Sequence, residues 1–178
     1  MKSLDPLFRS YCNFVDRLNK SIAKIASWLT LVIIIVIMID VIMRYAFNTG
    51  YVVIQELQWH LFALIVMLGS GYTLLKNEHI RVDIFYQRFT PKKQAWVNLV
   101  GTIFLLFPTC LLIIYASWPF VLNSYEFFEG SPNPGGIPLR FLLKAMIPFG
   151  FFLVLLQGSC TAIRSLYFIL DIDLGEKK

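Results

Sequence analysis

Two pairs of ionisable side chains stand at spacings that a helix would turn into contacts. Asp40 and Arg44 are four apart, acid before base, the order that favours an ion pair one helical turn long. Glu56 and His60 repeat that spacing, and a carboxylate and an imidazole so placed could relay a proton or begin a metal site if further ligands converged. The second histidine, His79, lies nineteen residues on, about 28 Å along a helix, so the two cannot ligate one haem or one metal ion. Each pair has a plainer reading: Asp40 and Arg44 as a structural tie between helices or subunits, Glu56 and His60 as a polar helix start inside an assembly interface. Glycine-rich phosphate loops, a nucleophile beside a base and repeated metal-ligand spacings are all missing from the sequence, so no catalytic, cofactor-binding or metal-binding residue is assigned and the chain is not expected to be an enzyme.

The elements that carry these residues follow from how the charges are spaced. Of 178 residues 57% are hydrophobic and only 15% charged, with a mean hydropathy of +0.66, a balance suited to lipid rather than water. A helix crossing the hydrocarbon core needs roughly 20 mostly apolar residues. Charge-free runs of that order occur at Ile25–Ile39, reaching Phe47 if Asp40 and Arg44 are tolerated, and at Leu57–Leu75, Gln94–Tyr125 and Ala145–Ile163. The third, as a straight helix, would measure about 48 Å and must tilt or project beyond the core. None shows the two-residue alternation of a barrel strand. The expected fold is therefore an all-α integral membrane protein with four transmembrane helices, at 22–47, 54–75, 92–122 and 142–168, in a single domain over 1–178.

Four spans put both termini on one side. Thirteen of the sixteen Lys and Arg residues fall in the N-terminal segment, the 76–93 connection and the C-terminal end, against Arg44, Arg140 and Lys144 on the other face. That asymmetry places the termini and the middle connection in the cytoplasm of a multi-pass inner-membrane protein, and it accounts for the +5 net charge without nucleic acid as a partner. Cys12, Cys110 and Cys160 then offer no disulfide outside the cytoplasm, and no small-residue cleavage site follows the first apolar run, so a cleaved signal peptide is not expected.

Outside the spans, residues 4–20 form an amphipathic pattern, with Leu4, Leu7, Phe8, Tyr11, Phe14, Val15 and Leu18 recurring at helical spacing, expected to lie on the membrane surface. A second interfacial helix is expected at 77–90, and Thr90-Pro91 has the form of a helix start. The segment 123–141 concentrates prolines and glycines and is expected to be an ordered external loop; 169–178 is a cytoplasmic tail. Small residues at Gly69, Ser70, Gly71 and Thr73, and at Gly158, Ser159 and Ala162, would let helix backbones approach closely.

From Arg44 to Arg164 the chain resembles the small membrane subunit (DctQ-type, Q subunit) of TRAP transporters, the tripartite ATP-independent periplasmic family. The likeness rests on RYAFN at 44–48, QELQWHLFALIVMLG at 55–69, HIRVD at 79–83, EGSPNPGG at 129–136 and LLQG at 155–158, in that order. It implies a scaffold subunit with no cofactor of its own. Its partners would be a large permease subunit, which carries sodium ions and an organic acid by an elevator motion, and a periplasmic solute-binding protein that delivers the solute. The length of the chain is similar to that of members whose large subunit is a separate polypeptide. On this reading Asp40, Arg44, Glu56, His60 and Lys144 are interface or structural residues, and Glu126, Glu129 and Asn133 in the external loop dock the binding protein. Two other readings remain open: a haem- or quinone-binding membrane anchor of a redox complex, and a small autonomous exporter.

Overall fold

The structure, a computed structural model, describes residues 6–76, 86 and 89–170. The fold is all-α, with four helices long and apolar enough to cross a membrane. They are α1 (Pro6–Ala46), α2 (Val52–Leu75), α3 (Pro91–Glu126) and α4 (Arg140–Ile169). The chain packs as a bundle in which α4 touches each of the other three, while α1 lies chiefly along α2. The segment expected to form an interfacial helix at 77–90 lies mostly outside the described residues.

The structure differs from the sequence expectation at α1. Instead of a surface helix over 4–20 followed by a separate span at 22–47, one unbroken helix of 41 residues runs about 60 Å. The cause is local: after Pro6 no glycine or proline occurs before Gly50, so nothing interrupts the backbone hydrogen bonds. Nor does the whole apolar stripe face outward. Tyr11, Cys12 and Val15 pack against Leu156, Cys160 and Ile163 of α4, the rings of Phe8 and Tyr167 lie 6.4 Å apart, and Leu7 and Phe14 stay exposed.

Helix α3 carries a π turn at Thr102–Leu106, where the Phe107 N–H reaches back five residues to the Thr102 carbonyl. Pro108 explains it. Proline has no N–H to give the carbonyl of Phe104 and its ring would crowd that carbonyl, so widening the preceding turn relieves both. The widened turn lies against Gly158 of α4, where a Cβ would stand 2.7 Å from Leu106 Cδ2. A second close approach is at Gly150, whose Cβ would come within 3.0 Å of the Met67 carbonyl oxygen. Gly71 makes a third, described below, whereas Gly69 has nothing within 4 Å. The loop between α3 and α4 is shorter than the sequence suggests, since helix persists to Glu126 and resumes at Arg140. Phe128 (φ 44°) and Leu139 (φ 64°) flank it in the left-handed region, which costs a bulky L-residue about 1–2 kcal/mol. The polar contacts of the loop hold that strain in place.

Candidate functional site

Polar side chains gather at the two ends of the bundle, and each cluster ties elements far apart in sequence. At the loop end, Glu56 sits in the first turns of α2 and is only 2% exposed. Its carboxylate accepts hydrogen bonds from Ser131 Oγ, from Asn133 Nδ2 at 3.3 Å and from the Ile137 N–H at 2.7 Å. A buried carboxylate is tolerable only when its lone pairs are met, and here one acid gathers three groups of a proline-rich loop. The fit requires glycine at 136: a Cβ there would lie 2.3 Å from Ser131 Oγ and 2.7 Å from Glu56 Oε2. His60 does not join the carboxylate. Its Nδ1 is 2.6 Å from the Glu56 backbone oxygen, an N–H donor to that carbonyl, and its ring lies against Trp59 with centroids 4.1 Å apart.

The same end holds a second ion pair. Lys144 in α4 donates to Glu129 in the loop, with its ammonium 3.9 Å above the Phe120 ring. That hydrogen bond, helped by Ser124 and by the nearby positive charges of Lys144 and Arg140, holds the Glu129 carboxyl below its ordinary range. Arg140 makes no ion pair among the described residues; its guanidinium lies 5.4 Å over the Trp59 ring and its backbone N–H donates to the Glu129 carbonyl at 3.0 Å. Thus Glu129 and Asn133 make hydrogen bonds within the chain, and Glu126, which is exposed, makes no side-chain bond among the described residues. Asp40 and Arg44 do meet, at 2.9 Å, with Arg44 half exposed. Both lie in α1, so this pair joins no two elements.

The opposite end holds a cluster that sequence reasoning missed. Asn19 and Gln157 are both fully buried, and Asn19 Nδ2 donates to Gln157 Oε1 at 2.8 Å. Gln157 Nε2 donates in turn to Asp16 Oδ1 at 3.1 Å, and Arg164 closes the network on Asp16 at 2.7 Å. One helical turn away, Tyr11 and Ser159 share a hydrogen bond of 2.8 Å. Helix α2 joins through its backbone: the Asn19 carboxamide oxygen lies 2.2 Å from where a Cβ of Gly71 would be, a position that only a glycine hydrogen leaves open. A signal was available. Asn19 interrupts the stripe of Tyr11, Cys12 and Val15, and Gln157 is the one side-chain amide of the fourth span.

Among the described residues no three His, Cys, Asp or Glu side chains cluster closely enough to hold a metal ion. The three cysteines are buried, with Cys12 and Cys160 in one apolar cluster. What the geometry provides is attachment: the loop is tied to α2 and α4, and α1 to α4 and α2.

Comparison with known proteins matches the sequence to a family. Residues 33–167 fit the family described as tripartite ATP-independent periplasmic transporters, DctQ component. A protein of Haemophilus influenzae (strain ATCC 51907 / DSM 11121 / KW20 / Rd), provisionally named a TRAP transporter small permease protein, is 28% identical over 132 residues, 74% of this chain and 80% of its own length. The match takes in Asp40, the Glu56 cluster, Gln157 and Arg164, and stops short of Asp16 and Asn19. On the extent of that fit and the four-helix membrane fold that accompanies it, the chain belongs to the DctQ family of TRAP transporter components.

Proposed function

We propose that this chain is the scaffold subunit of a sodium-coupled TRAP importer of an organic acid, working by anchoring a large permease subunit in the membrane. The observation that carries the reading is where its polar side chains are committed. Asp40 meets Arg44, Glu56 the loop, Lys144 Glu129, Arg164 Asp16, and Asn19 Gln157. A site for a carboxylate solute and its coupled cations draws on broken helices and freed backbone groups at mid-membrane, whereas all of these contacts lie within the chain and, apart from the Asp40–Arg44 pair inside α1, join different elements of it. Meanwhile only 11% of the most apolar stretch of α1 and 17% of that of α3 is buried within the chain. Broad apolar faces are left for lipid and for the helices of a partner. Solute and sodium are assigned to that partner, and a periplasmic binding protein is expected to dock at the loop, where Glu126 is exposed. Both termini are placed in the cytoplasm.

Omitting this chain should abolish uptake by the remaining components. In the complete complex, Asp40→Asn, Arg44→Gln and Glu56→Gln should lower the yield of assembled complex while leaving unchanged the sodium concentration for half-maximal transport. A shifted sodium dependence with assembly intact would put these residues in the transport pathway and sink the scaffold reading. Single cysteines at Lys93 and Asn133, in a background lacking the native three, should label from opposite sides of the membrane.

A further inference from the structure

Near the loop end an apolar groove of about 400 Å³ opens between α2, α3 and α4. Trp59, Ala63 and Met67 form one wall and Arg140, Leu143 and Ile147 the other. Residues 59 to 67 span about 12 Å of helix and 140 to 147 about 10 Å, so the groove runs along the helices for most of one leaflet of a roughly 30 Å core. Its walls are carbon except at the mouth. There Lys144 is already held by Glu129, but Arg140 is not. Its guanidinium has five N–H donors and among the described residues finds only the face of Trp59, while its Nε is buried without an acceptor. Glu56 and Glu129 feel its charge, yet neither reaches it as an ion pair.

A buried guanidinium nitrogen without an acceptor is costly, and an apolar slot open to the side in a membrane fills with hydrocarbon. One molecule meets both needs. We propose that the groove is a binding site for a glycerophospholipid of the leaflet at the Arg140 end, one acyl chain lying between α2 and α4 and the phosphate accepting hydrogen bonds from Arg140. A phosphodiester matches the planar donor fork of arginine, and Trp59 beside it is of the residue type enriched at membrane interfaces. The slot is too small for a helix, whose width with side chains is about 10 Å.

The test uses the full chain, extracted in mild detergent without partner subunits and examined by native mass spectrometry. One glycerophospholipid per chain should survive detergent exchange. Arg140→Gln should weaken its retention about tenfold, the order expected for losing charge-assisted hydrogen bonds. Ala63→Phe and Met67→Phe each fill the groove from one wall without touching Arg140, and each should release the lipid; two separate plugs keep the test alive if one fails to fold. Leu111→Phe, on an exposed face of α3, should change nothing. The proposal is overturned if the isolated chain holds no lipid, or if Arg140→Gln releases it while both folded plug variants retain it. A second measurement, co-expression with the large subunit, also overturns it if the plugs abolish co-purification of the two chains, which would give the groove to a protein partner.

Discussion

The buried amide pair between α1 and α4 makes a quantitative prediction. Replacing Gln157 with Met keeps length and flexibility but deletes two hydrogen bonds, one from Asn19 at 2.8 Å and one to the Asp16 carboxylate at 3.1 Å. The first joins neutral groups, contributing about 1 kcal/mol net in water and about 0.6 on average in a bilayer. The second involves a charge, contributing roughly 1.5–3 kcal/mol. Gln157→Met should therefore destabilise the bundle by roughly 2–4 kcal/mol. Asn19→Leu, close to isosteric, loses the shared bond and a weaker one to the Val15 carbonyl at 3.3 Å, but removes an oxygen that has no hydrogen-bond partner, so about 1–2 kcal/mol is expected. Because the shared bond is counted in both single variants, the double variant should be about 1 kcal/mol less destabilised than the sum. Reversible unfolding by SDS in mixed micelles, followed by circular dichroism, measures all three. Additivity within about 0.3 kcal/mol, or a Gln157→Met variant as stable as the parent, would refute the claim that these amides couple the two helices.

Gly71→Ala pushes a Cβ into Asn19 and should cost about 1–3 kcal/mol in the same assay, whereas Gly69→Ala meets nothing and should be neutral or slightly stabilising. Gly136→Ala collides with Ser131 and Glu56 and should loosen the loop, seen as faster backbone hydrogen exchange at residues 129–139 with the helices still protected. Glu129 is held below its ordinary carboxyl value of about 4.5, so its tie to Lys144 stabilises the fold above that value and is lost as pH falls through the lower folded-state value. The thermal stability difference between the parent and Glu129→Gln should therefore be constant from pH 6 to 8 and shrink on acidification below pH 4.5; a difference that grew in acid would contradict the pairing.

The four spans were legible because charges are expensive in hydrocarbon, and the charge-free runs at 25–39, 57–75, 94–125 and 145–163 register that expense directly. The continuity of α1 was legible too, in the absence of any glycine or proline between Pro6 and Gly50, but amphipathic patterning drew the eye to a boundary that the backbone does not have. What sequence could not show was pairing. Glu56 meets groups 75 to 81 residues away and Asn19 meets Gln157 across 138. A polar residue inside an apolar stripe announces that it needs a partner without saying which. Glu129 and Asn133 illustrate the same limit: nothing in the sequence of the loop says that they bond to Lys144 and Glu56.

The distribution of these contacts follows from the solvent. Lipid is as apolar as leucine, so apolar burial does little to choose one arrangement of helices over another, and orientation must come from close backbone approach and from hydrogen bonds. The chain uses both on α4, the most buried span at 33%. Gly150 and Gly158 bring in α2 and α3, Gln157 and Arg164 hold α1, and Lys144 holds the loop. Setting the ties toward the two ends fixes each helix against rotation and sliding while keeping charge away from the centre of the hydrocarbon. With α4 carrying the specificity, the exposed flanks of α1 and α3 need only be apolar. A partner can therefore lie against them without competing for any hydrogen bond that holds the bundle.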